Sequence, residues 1–202
     1  MARQERGQRT RHCILMAAAE LFDERGYDSA STTDILARAG LTRGALYHHF
    51  PSKEAIALAL LDAHVEALQV EDQPVKLQSV IDLTLRFAQR LQRDPVLRAS
   101  VRLSVEQSSF SSPRVGYEQS MEVILGLLRQ AETQGETLPG IDMNEAASFI
   151  VGAYTGIQTM AQAYSNRADL LSRVSSLWQF LLPGLATPGL VGRLRTTPPS
   201  AA

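Results

Sequence analysis

The side chains with the clearest chemical purpose form a short run that begins at Thr42. The Arg43 guanidinium can donate two parallel hydrogen bonds to O6 and N7 of a guanine, while Gly44 and Ala45 are small enough to approach a groove floor or a thymine methyl group. The hydroxyl groups of Thr42 and Tyr47 are suited to phosphate oxygens, which fix the register of a protein on DNA without carrying sequence information. This combination is typical of a surface that reads double-stranded DNA.

Such side chains need a helix that presents one side to solvent. On a period of about 3.6 residues, Leu46 and Phe50 fall on one face, and Gly44 and His48 fall on the opposite face. The sequence therefore predicts a helix of little more than two turns that buries its apolar face and exposes the other.

A second short helix precedes this one across a tight turn. Residues 32–39 have a helical pattern that ends at Gly40, and Thr42 stands where an N-cap residue belongs. Pro51 closes the exposed helix, and Ser52 caps the next one. Two short helices that meet at a glycine turn predict a helix-turn-helix motif.

The same region carries a family resemblance. A helix over residues 9–25, followed by GYDSASTTDILARAGLTRGALYHHFPSKEA, resembles the DNA-binding domain of the tetracycline-repressor (TetR) family of bacterial regulators. The shared pattern is Gly, a hydrophobic residue, then Thr-x-Gly-x-Leu-Tyr-x-His-Phe-x-x-Lys-Glu. The resemblance implies base contacts from Arg43, Gly44 and Ala45. It also implies phosphate contacts from Thr32, Thr33, Tyr47, His49 and Lys53. We place His48 at a base edge on geometry alone. The predicted DNA-binding residues are therefore Thr32, Thr33, Thr42, Arg43, Gly44, Ala45, Tyr47, His48, His49 and Lys53.

Within the family, the amino-terminal run MARQERGQRTRHCILMAAAELFDERGY is most similar to the γ-butyrolactone autoregulator receptors, which govern secondary metabolism and development in filamentous antibiotic-producing bacteria. Those receptors usually carry a tryptophan in the pocket stretch that corresponds to residues 116–120 here. This chain has its single tryptophan at Trp178 instead. The resemblance implies a γ-butyrolactone effector. Because the tryptophan is absent from this stretch, a related butenolide, furan or antibiotic product stays an alternative.

The charge distribution agrees with a DNA-binding head. Residues 1–53 contain eight Lys or Arg and six Asp or Glu, whereas residues 54–202 contain twelve and fifteen. The first dozen residues form a basic arm, which can follow phosphates or enter a minor groove or, alternatively, be a frayed terminus. Its charged residues are Arg3, Arg6, Arg9 and Arg11, against Glu5.

Composition predicts a soluble cytoplasmic protein. The chain has 202 residues, of which 45% are hydrophobic. Its single cysteine, Cys13, excludes an internal disulfide and borders an apolar stripe, which predicts a small buried side chain. There is no apolar leader at the amino terminus and no run of the ~20 apolar residues that span a bilayer.

The rest of the chain predicts an all-α fold in two domains. We expect a helix-turn-helix domain over residues 1–53, a helical ligand-binding and dimerisation domain over residues 54–185, and a flexible tail over residues 186–202. The helix from Ser52 to about Val70 connects the two domains. The helices that begin at Met143 and Ala168 are the candidate dimer interface. We expect a dimer because two DNA-binding domains on one duplex must sit about one helical turn apart. We expect Pro183 and Gly184 to stop the last of them.

The middle helices predict a binding site for a neutral, mostly apolar small molecule. Apolar walls dominate, and a few neutral polar groups can orient a lactone carbonyl or hydroxyl. A protein core of the same composition is the simpler alternative for any one of these residues. The candidate ligand-binding residues are Phe87, Val101, Val105, Tyr117, Met121, Ile124, Tyr154, Gln158, Thr159 and Trp178.

Other functions have less sequence support. His48 and His49 are adjacent, whereas two imidazoles on one helix bind a metal at a spacing of three or four residues, so no metal site is predicted. No cofactor or catalytic residue is predicted either. The alternatives are a repressor of the same family that senses an antibiotic or drug, and a small-molecule enzyme. A ligand-sequestering protein that has lost DNA binding is the third, although Arg43, Tyr47 and Lys53 are all present.

Overall fold

The computed structural model of the protein describes residues 2–69, 71, 73–105, 110 and 114–198. Within these residues the chain is mainly helical and contains no strand, which confirms the predicted all-α class. The helices are α1 (Ala2–Arg25), α2 (Thr32–Ala39), α3 (Arg43–His49), α4 (Lys53–Ala67), α5 (Lys76–Arg93), α6 (Pro95–Val105), α7 (Arg114–Thr133), α8 (Met143–Ser165), α9 (Leu170–Leu185) and α10 (Pro188–Val191).

The chain divides into two compact units. The first comprises Met1–Ala67 and Asp94–Gly116, and the second comprises Leu68–Arg93 and Tyr117–Ala202. The predicted division after residue 53 therefore differs from the packing, since α4 and α6 both belong to the first unit. The reason is burial: Leu60 of α4 and Leu103 of α6 lie in the same apolar core as α1 to α3. The helix-turn-helix motif depends on helices that lie outside it in the sequence.

Local capping fixes α2 and its turn. The Ser31 hydroxyl accepts a hydrogen bond from the Asp34 backbone N–H at 3.1 Å, and the Asp34 carboxylate accepts one from the Ser31 N–H at 3.1 Å. At the other end Gly40 has φ 65°, a left-handed conformation that suits glycine. Arg38 donates to both carboxylate oxygens of Glu24 in α1, at 2.7 and 2.8 Å, so α2 is held in one orientation against α1.

Two expectations for the amino-terminal region are corrected. The basic arm is part of α1, which begins at Ala2 and not at residue 9; the Arg3 side chain lies outside the described residues. Cys13 is exposed and not buried. The apolar stripe of α1 runs through Ile14 and Ala18, both fully buried, and Cys13 lies beside this stripe.

In the second unit, carboxylate side chains cap two of the long helices. The Glu136 carboxylate accepts the backbone N–H groups of Lys76 and Leu77 at 2.9 and 2.8 Å, so an acidic group from the α7–α8 turn caps α5. The Asp142 carboxylate accepts the N–H groups of Asn144 and Glu145 and caps α8, as its position in the sequence predicts. Helix α9 packs against both α5 and α8.

The end of the chain is more ordered than the sequence predicts. Helix α9 continues through Pro183 and ends at Leu185, although the proline has no N–H to donate to the backbone oxygen four residues earlier. The predicted flexible tail contains α10, and Arg195 is bonded to α5; residues 199–202 lie outside the described part. Among the described residues, no helix is long and apolar enough to cross a membrane.

Candidate nucleic-acid interface and effector site

Helix α3, hereafter the reading helix, has one buried and one exposed face. Leu46 is fully buried and Phe50, which follows the helix, is 3% exposed, and both belong to the core of the first unit. Arg43, Tyr47 and His48 are exposed, with Tyr47 at 53%. The division into two faces agrees with the sequence prediction, and the exposed face holds the predicted base and phosphate contacts.

The start of the reading helix is open to an approaching surface. Thr42 is its N-cap residue and accepts a hydrogen bond from the Ala45 N–H at 3.4 Å. A Cβ atom added to Gly44 would meet no other atom within 4 Å, so internal packing does not require glycine at this position. Thr33 is also exposed, whereas Thr32 and Ala45 are half-buried. These residues form an accessible edge at the amino-terminal ends of α2 and α3.

Lys53 has an internal role that the sequence did not predict. Its ammonium donates to the backbone oxygens of Tyr27 and Ala30 at 2.9 and 3.0 Å, and it lies 4.0 Å from the centre of the Tyr27 ring. Burial raises the pKa of the Tyr27 hydroxyl. The ammonium therefore ties the start of α4, just after the reading helix, to the turn between α1 and α2. A phosphate contact from Lys53 stays a prediction.

The carboxyl end of the reading helix lies beside α1. The His49 ring is half-buried, and a Cβ atom on Gly7 would lie 3.8 Å from its Cε1 atom. The Arg11 guanidinium lies 5.0 Å from the centre of the Phe50 ring. Sequence reasoning placed Arg11 only in a basic arm and missed Gly7, because a contact between two helices cannot be read from the period of either.

Part of the predicted effector site is assembled in the second unit. The rings of Phe87 and Tyr154 are 5.8 Å apart and nearly perpendicular at 89°, a favourable edge-to-face arrangement. The Tyr154 ring is half-buried, but its hydroxyl oxygen is inaccessible to solvent and has no hydrogen-bond partner among the described residues. Burial strongly raises the pKa of this hydroxyl, so it stays a neutral hydrogen-bond donor.

Two hydroxyl groups that sequence reasoning missed contact the predicted residues. The indole N–H of Trp178 donates to the Thr84 hydroxyl at 2.8 Å, and the indole side chain is fully buried. The Tyr117 hydroxyl is hydrogen-bonded to Thr155, although burial still raises its pKa. Thr84 is buried, and Thr155 is half-buried.

The remaining candidates differ in exposure. Ile124 and Gln158 are buried, and the Gln158 amide donates to the Thr159 hydroxyl at 3.1 Å. Met121 is 36% exposed and Thr159 is exposed. Val101 is buried and Val105 is 39% exposed; both lie on α6, in the first unit. Contact of these residues with an effector stays a prediction.

Helix α4 contains a buried titratable group. His64 is 7% exposed, and burial lowers the pKa of its imidazole to about 4, despite a hydrogen bond with the Gly116 backbone that acts in the opposite direction. A Cβ atom on Gly116 would lie 2.8 Å from the Ser104 hydroxyl and 3.4 Å from the His64 ring. The neutral imidazole therefore fills a tight space between α4, α6 and the start of α7.

No group of three or more His, Cys, Asp or Glu side chains in the described part of the chain can hold a metal ion. The first unit exposes one face of the reading helix, and the second unit contains the aromatic pair of Phe87 and Tyr154.

Comparison with known proteins identifies the family. Residues 14–60 match the family described as bacterial regulatory proteins, tetR family, and residues 75–187 match the tetracyclin repressor-like C-terminal domain. The A-factor receptor protein of Streptomyces griseus is 38% identical over 96% of this chain and 70% of its own length. The solved structure of TylP, a TetR regulator from Streptomyces fradiae, is 40% identical with a TM-score of 0.84, over 95% of this chain and 93% of TylP.

A solved γ-butyrolactone receptor, described as an ArpA-like protein, is 28% identical with a TM-score of 0.76 and covers 93% of each chain. The chain belongs to the TetR family of DNA-binding bacterial regulators and is not an enzyme.

Proposed function

We propose that the protein is a transcriptional repressor that binds a pseudo-palindromic operator as a homodimer and is released by a small, mostly apolar signalling molecule. The observation that carries the proposal is the exposed face of the reading helix. Arg43, Gly44 and Tyr47 stand on that face, while its opposite face is buried in the core. Because these side chains have no packing role on the exposed side, their chemistry is available to a partner.

DNA suits this face better than another protein does. The Arg43 guanidinium can donate two hydrogen bonds to a guanine, and the hydroxyl groups of Tyr47 and Thr33 can donate to phosphate oxygens. The helical arm at the start of α1 adds the exposed cations Arg6 and Arg9. Cations of this kind strengthen binding to the phosphate backbone in a salt-dependent manner.

A homodimer is favoured by large apolar side chains that α8 and α9 leave exposed. Phe149 is 59% exposed, Tyr164 78% and Phe180 85%. Phe149 also borders a surface groove of about 330 Å³ between α8 and α9, whose other apolar walls include Ile150 and Leu181. Aromatic side chains of this kind are typical of the buried centre of an interface. Two reading helices on one pseudo-palindromic operator require a symmetric dimer, whose interface we propose to lie on α8 and α9.

The proposed effector is a γ-butyrolactone or butenolide, acting in the cytoplasm. The relatives include an A-factor receptor and a γ-butyrolactone receptor. In this chain the Tyr154 hydroxyl is buried and has no hydrogen-bond partner among the described residues, and its ring packs on that of Phe87. This arrangement suits the carbonyl of a neutral, largely apolar molecule. The chain lacks a tryptophan in residues 116–120, so Tyr154 and Trp178 are the groups we propose for recognition.

Release is proposed to be a shift between two populations. The effector would favour an arrangement in which α4 carries the two reading helices away from the groove spacing, and only a difference in affinity between the two arrangements can drive this shift. A coupling free energy of about 1.4 kcal/mol lowers operator affinity tenfold. Equal operator affinity with and without a bound effector would contradict this mechanism.

The DNA-binding part is tested on DNA from the upstream region of the protein's own gene, by fluorescence anisotropy. Arg43→Ala is expected to weaken binding by about 1–3 kcal/mol and to relax preference at one base pair, because a two-bond guanine contact is lost. Tyr47→Phe removes only a hydroxyl and is expected to weaken binding without changing the preferred sequence. Arg193→Ala, an exposed cation in the second unit, is the charge-matched control. Wild-type affinity in both reading-helix variants would reject the assigned interface.

The effector part is tested with synthetic alkyl γ-butyrolactones and alkyl butenolides. Binding is read from the emission of Trp178, the single tryptophan, and release from the operator is read from anisotropy. Tyr154→Phe is expected to weaken effector binding and to leave operator binding intact, since only the hydroxyl is removed. Unchanged affinity of this variant for an effector that releases the wild-type protein would exclude Tyr154 from recognition.

A further inference from the structure

The segment that follows α9 returns to α5 and is bonded along its path. We call residues 186–195 the C-terminal strap. Ala186 forms an isolated antiparallel bridge with Thr137, and the Thr187 N–H donates to the Glu136 backbone oxygen at 2.9 Å. After the single turn of α10, the strap reaches the first half of α5 at Arg195. Its two ends are therefore attached to different parts of the second unit.

Arg195 fastens the strap to α5. Its guanidinium Nη2 donates to both carboxylate oxygens of Asp82, at 3.0 Å each. The backbone of Arg195 also exchanges two hydrogen bonds with the Gln78 amide: the N–H donates to Oε1 at 2.9 Å, and Nε2 donates to the carbonyl at 3.0 Å. Four bonds thus join one residue of the strap to a single turn of α5.

The bond from Arg195 to Asp82 is important because the Asp82 carboxylate is buried. The side chain of Asp82 is only 3% exposed, whereas that of Arg195 is 46% exposed. A buried carboxylate needs both a cation and hydrogen-bond donors, and Arg195 supplies the cation while Gln73 and Gln78 add donors at 2.7 and 2.8 Å. Removal of the guanidinium would leave Asp82 with the two glutamine amides and the charge of Arg86, which acts on Asp82 without a direct hydrogen bond.

The start of α5 is bonded to a second segment. Glu136, whose backbone anchors the strap, uses its carboxylate to cap the backbone N–H groups of Lys76 and Leu77. The α7–α8 turn and the C-terminal strap therefore both bind residues 76–82 of α5. One turn further along α5, Thr84 accepts the Trp178 indole N–H, and Phe87 packs on Tyr154.

We propose that Arg195 is a positioning residue and that the C-terminal strap is a clasp, a segment that holds α5 against Tyr154 of α8 and Trp178 of α9. The clasp sets how often α5 separates from these two helices. Opening of the clasp exposes the Trp178–Thr84 bond to solvent. The consequence for an effector rests on the proposed function: a small molecule reaches the buried Tyr154 hydroxyl more readily when the strap is released. The clasp itself does not depend on that function.

The experiment measures solvent exchange of the Trp178 indole N–H by nuclear magnetic resonance, together with amide exchange along α5. The chain has one tryptophan, so this proton gives a single indole signal. In Arg195→Ala we expect the indole proton and the amides of residues 78–85 to exchange about tenfold faster, because loss of a charge-assisted pair increases the open population. Arg193→Ala, which removes an exposed cation two residues away, is expected to match the wild-type protein.

The pattern of exchange separates a clasp from a general loss of stability. A local clasp leaves the exchange of core amides in α1, such as that of Leu21, unchanged, whereas global destabilisation accelerates all of them together. Gln78→Ala keeps the ion pair and removes the amide bonds, so we expect a smaller acceleration in the same residues. Arg195→Lys, which keeps a cation for Asp82, is expected to recover part of the protection.

Exchange in Arg195→Ala that equals the wild-type rate, or acceleration spread evenly over both units, would overturn the proposal. Operator binding by the same variant is measured separately. Loss of the proposed repressor function would leave the exchange result standing, and a negative exchange result would leave operator binding standing.

Discussion

Replacement of His64 is expected to remove a pH-dependent loss of stability. The imidazole is 7% exposed and its pKa in the folded protein is about 4, against an ordinary value of 6.5. Above about pH 6.5 both folded and unfolded chains carry a neutral imidazole, so the group adds no pH dependence there. As the pH falls below that value, the unfolded chain binds a proton that the folded chain resists, and stability is lost until the pH reaches the folded pKa.

The size of the effect follows from the two pKa values. Proton linkage between a folded pKa of about 4 and an unfolded pKa of 6.5 gives a loss of ~2 kcal/mol between about pH 7.5 and about pH 5. His64→Gln keeps hydrogen-bonding groups near Gly116 but cannot bind a proton in this range. The variant should be less stable than the wild-type protein at neutral pH, since the packing with Ser104 and Gly116 changes, and should lose ~2 kcal/mol less on acidification.

Urea unfolding followed by circular dichroism at several pH values provides the measurement. His12→Gln is the control, since it removes an exposed imidazole from α1. The carboxylates are common to all three proteins, so their contribution cancels in the comparison. Parallel curves for the wild-type protein and His64→Gln would refute the inference that a neutral imidazole is buried between α4, α6 and α7.

Two further substitutions test tight contacts within single units. Gly116→Ala places a Cβ atom 2.8 Å from the Ser104 hydroxyl and is expected to cost about 1–3 kcal/mol of unfolding free energy, of which the double variant with Ser104→Ala should recover a part; no recovery would show that Ser104 is not the obstacle. Thr84→Val leaves the buried Trp178 N–H without its acceptor and should cost about 1–3 kcal/mol, whereas Thr84→Ser should retain the bond. Equal melting temperatures for the two Thr84 variants would contradict the role of the hydroxyl.

Much of the head could be predicted because its signals are local. The N-cap at Thr42, the left-handed Gly40 and the burial of Leu46 and Phe50 all follow from residues within two helical turns of one another. The dense motif around the reading helix also carried the family resemblance, which the comparisons confirm. Fold class, family and the exposed reading face were therefore accessible from the chain alone.

Contacts between distant residues were not accessible in that way. A proline-rich and glycine-rich end predicts a loose tail, because no local feature shows that Arg195 has a buried partner at Asp82, 113 residues earlier. The same holds for Lys53, whose ammonium looks free in the sequence but is bound by two carbonyls from the α1–α2 turn.

The sequence by itself determined the short-range features: helix periods, caps, turns and the identity of the exposed side chains on the reading helix. The tertiary structure decided which polar groups are buried together, including Asp82 with Arg195 and Trp178 with Thr84. The physical reason is that a period or a cap depends on neighbouring residues, whereas the burial of a charge or an indole N–H is tolerated only where a partner from another helix arrives within hydrogen-bonding distance.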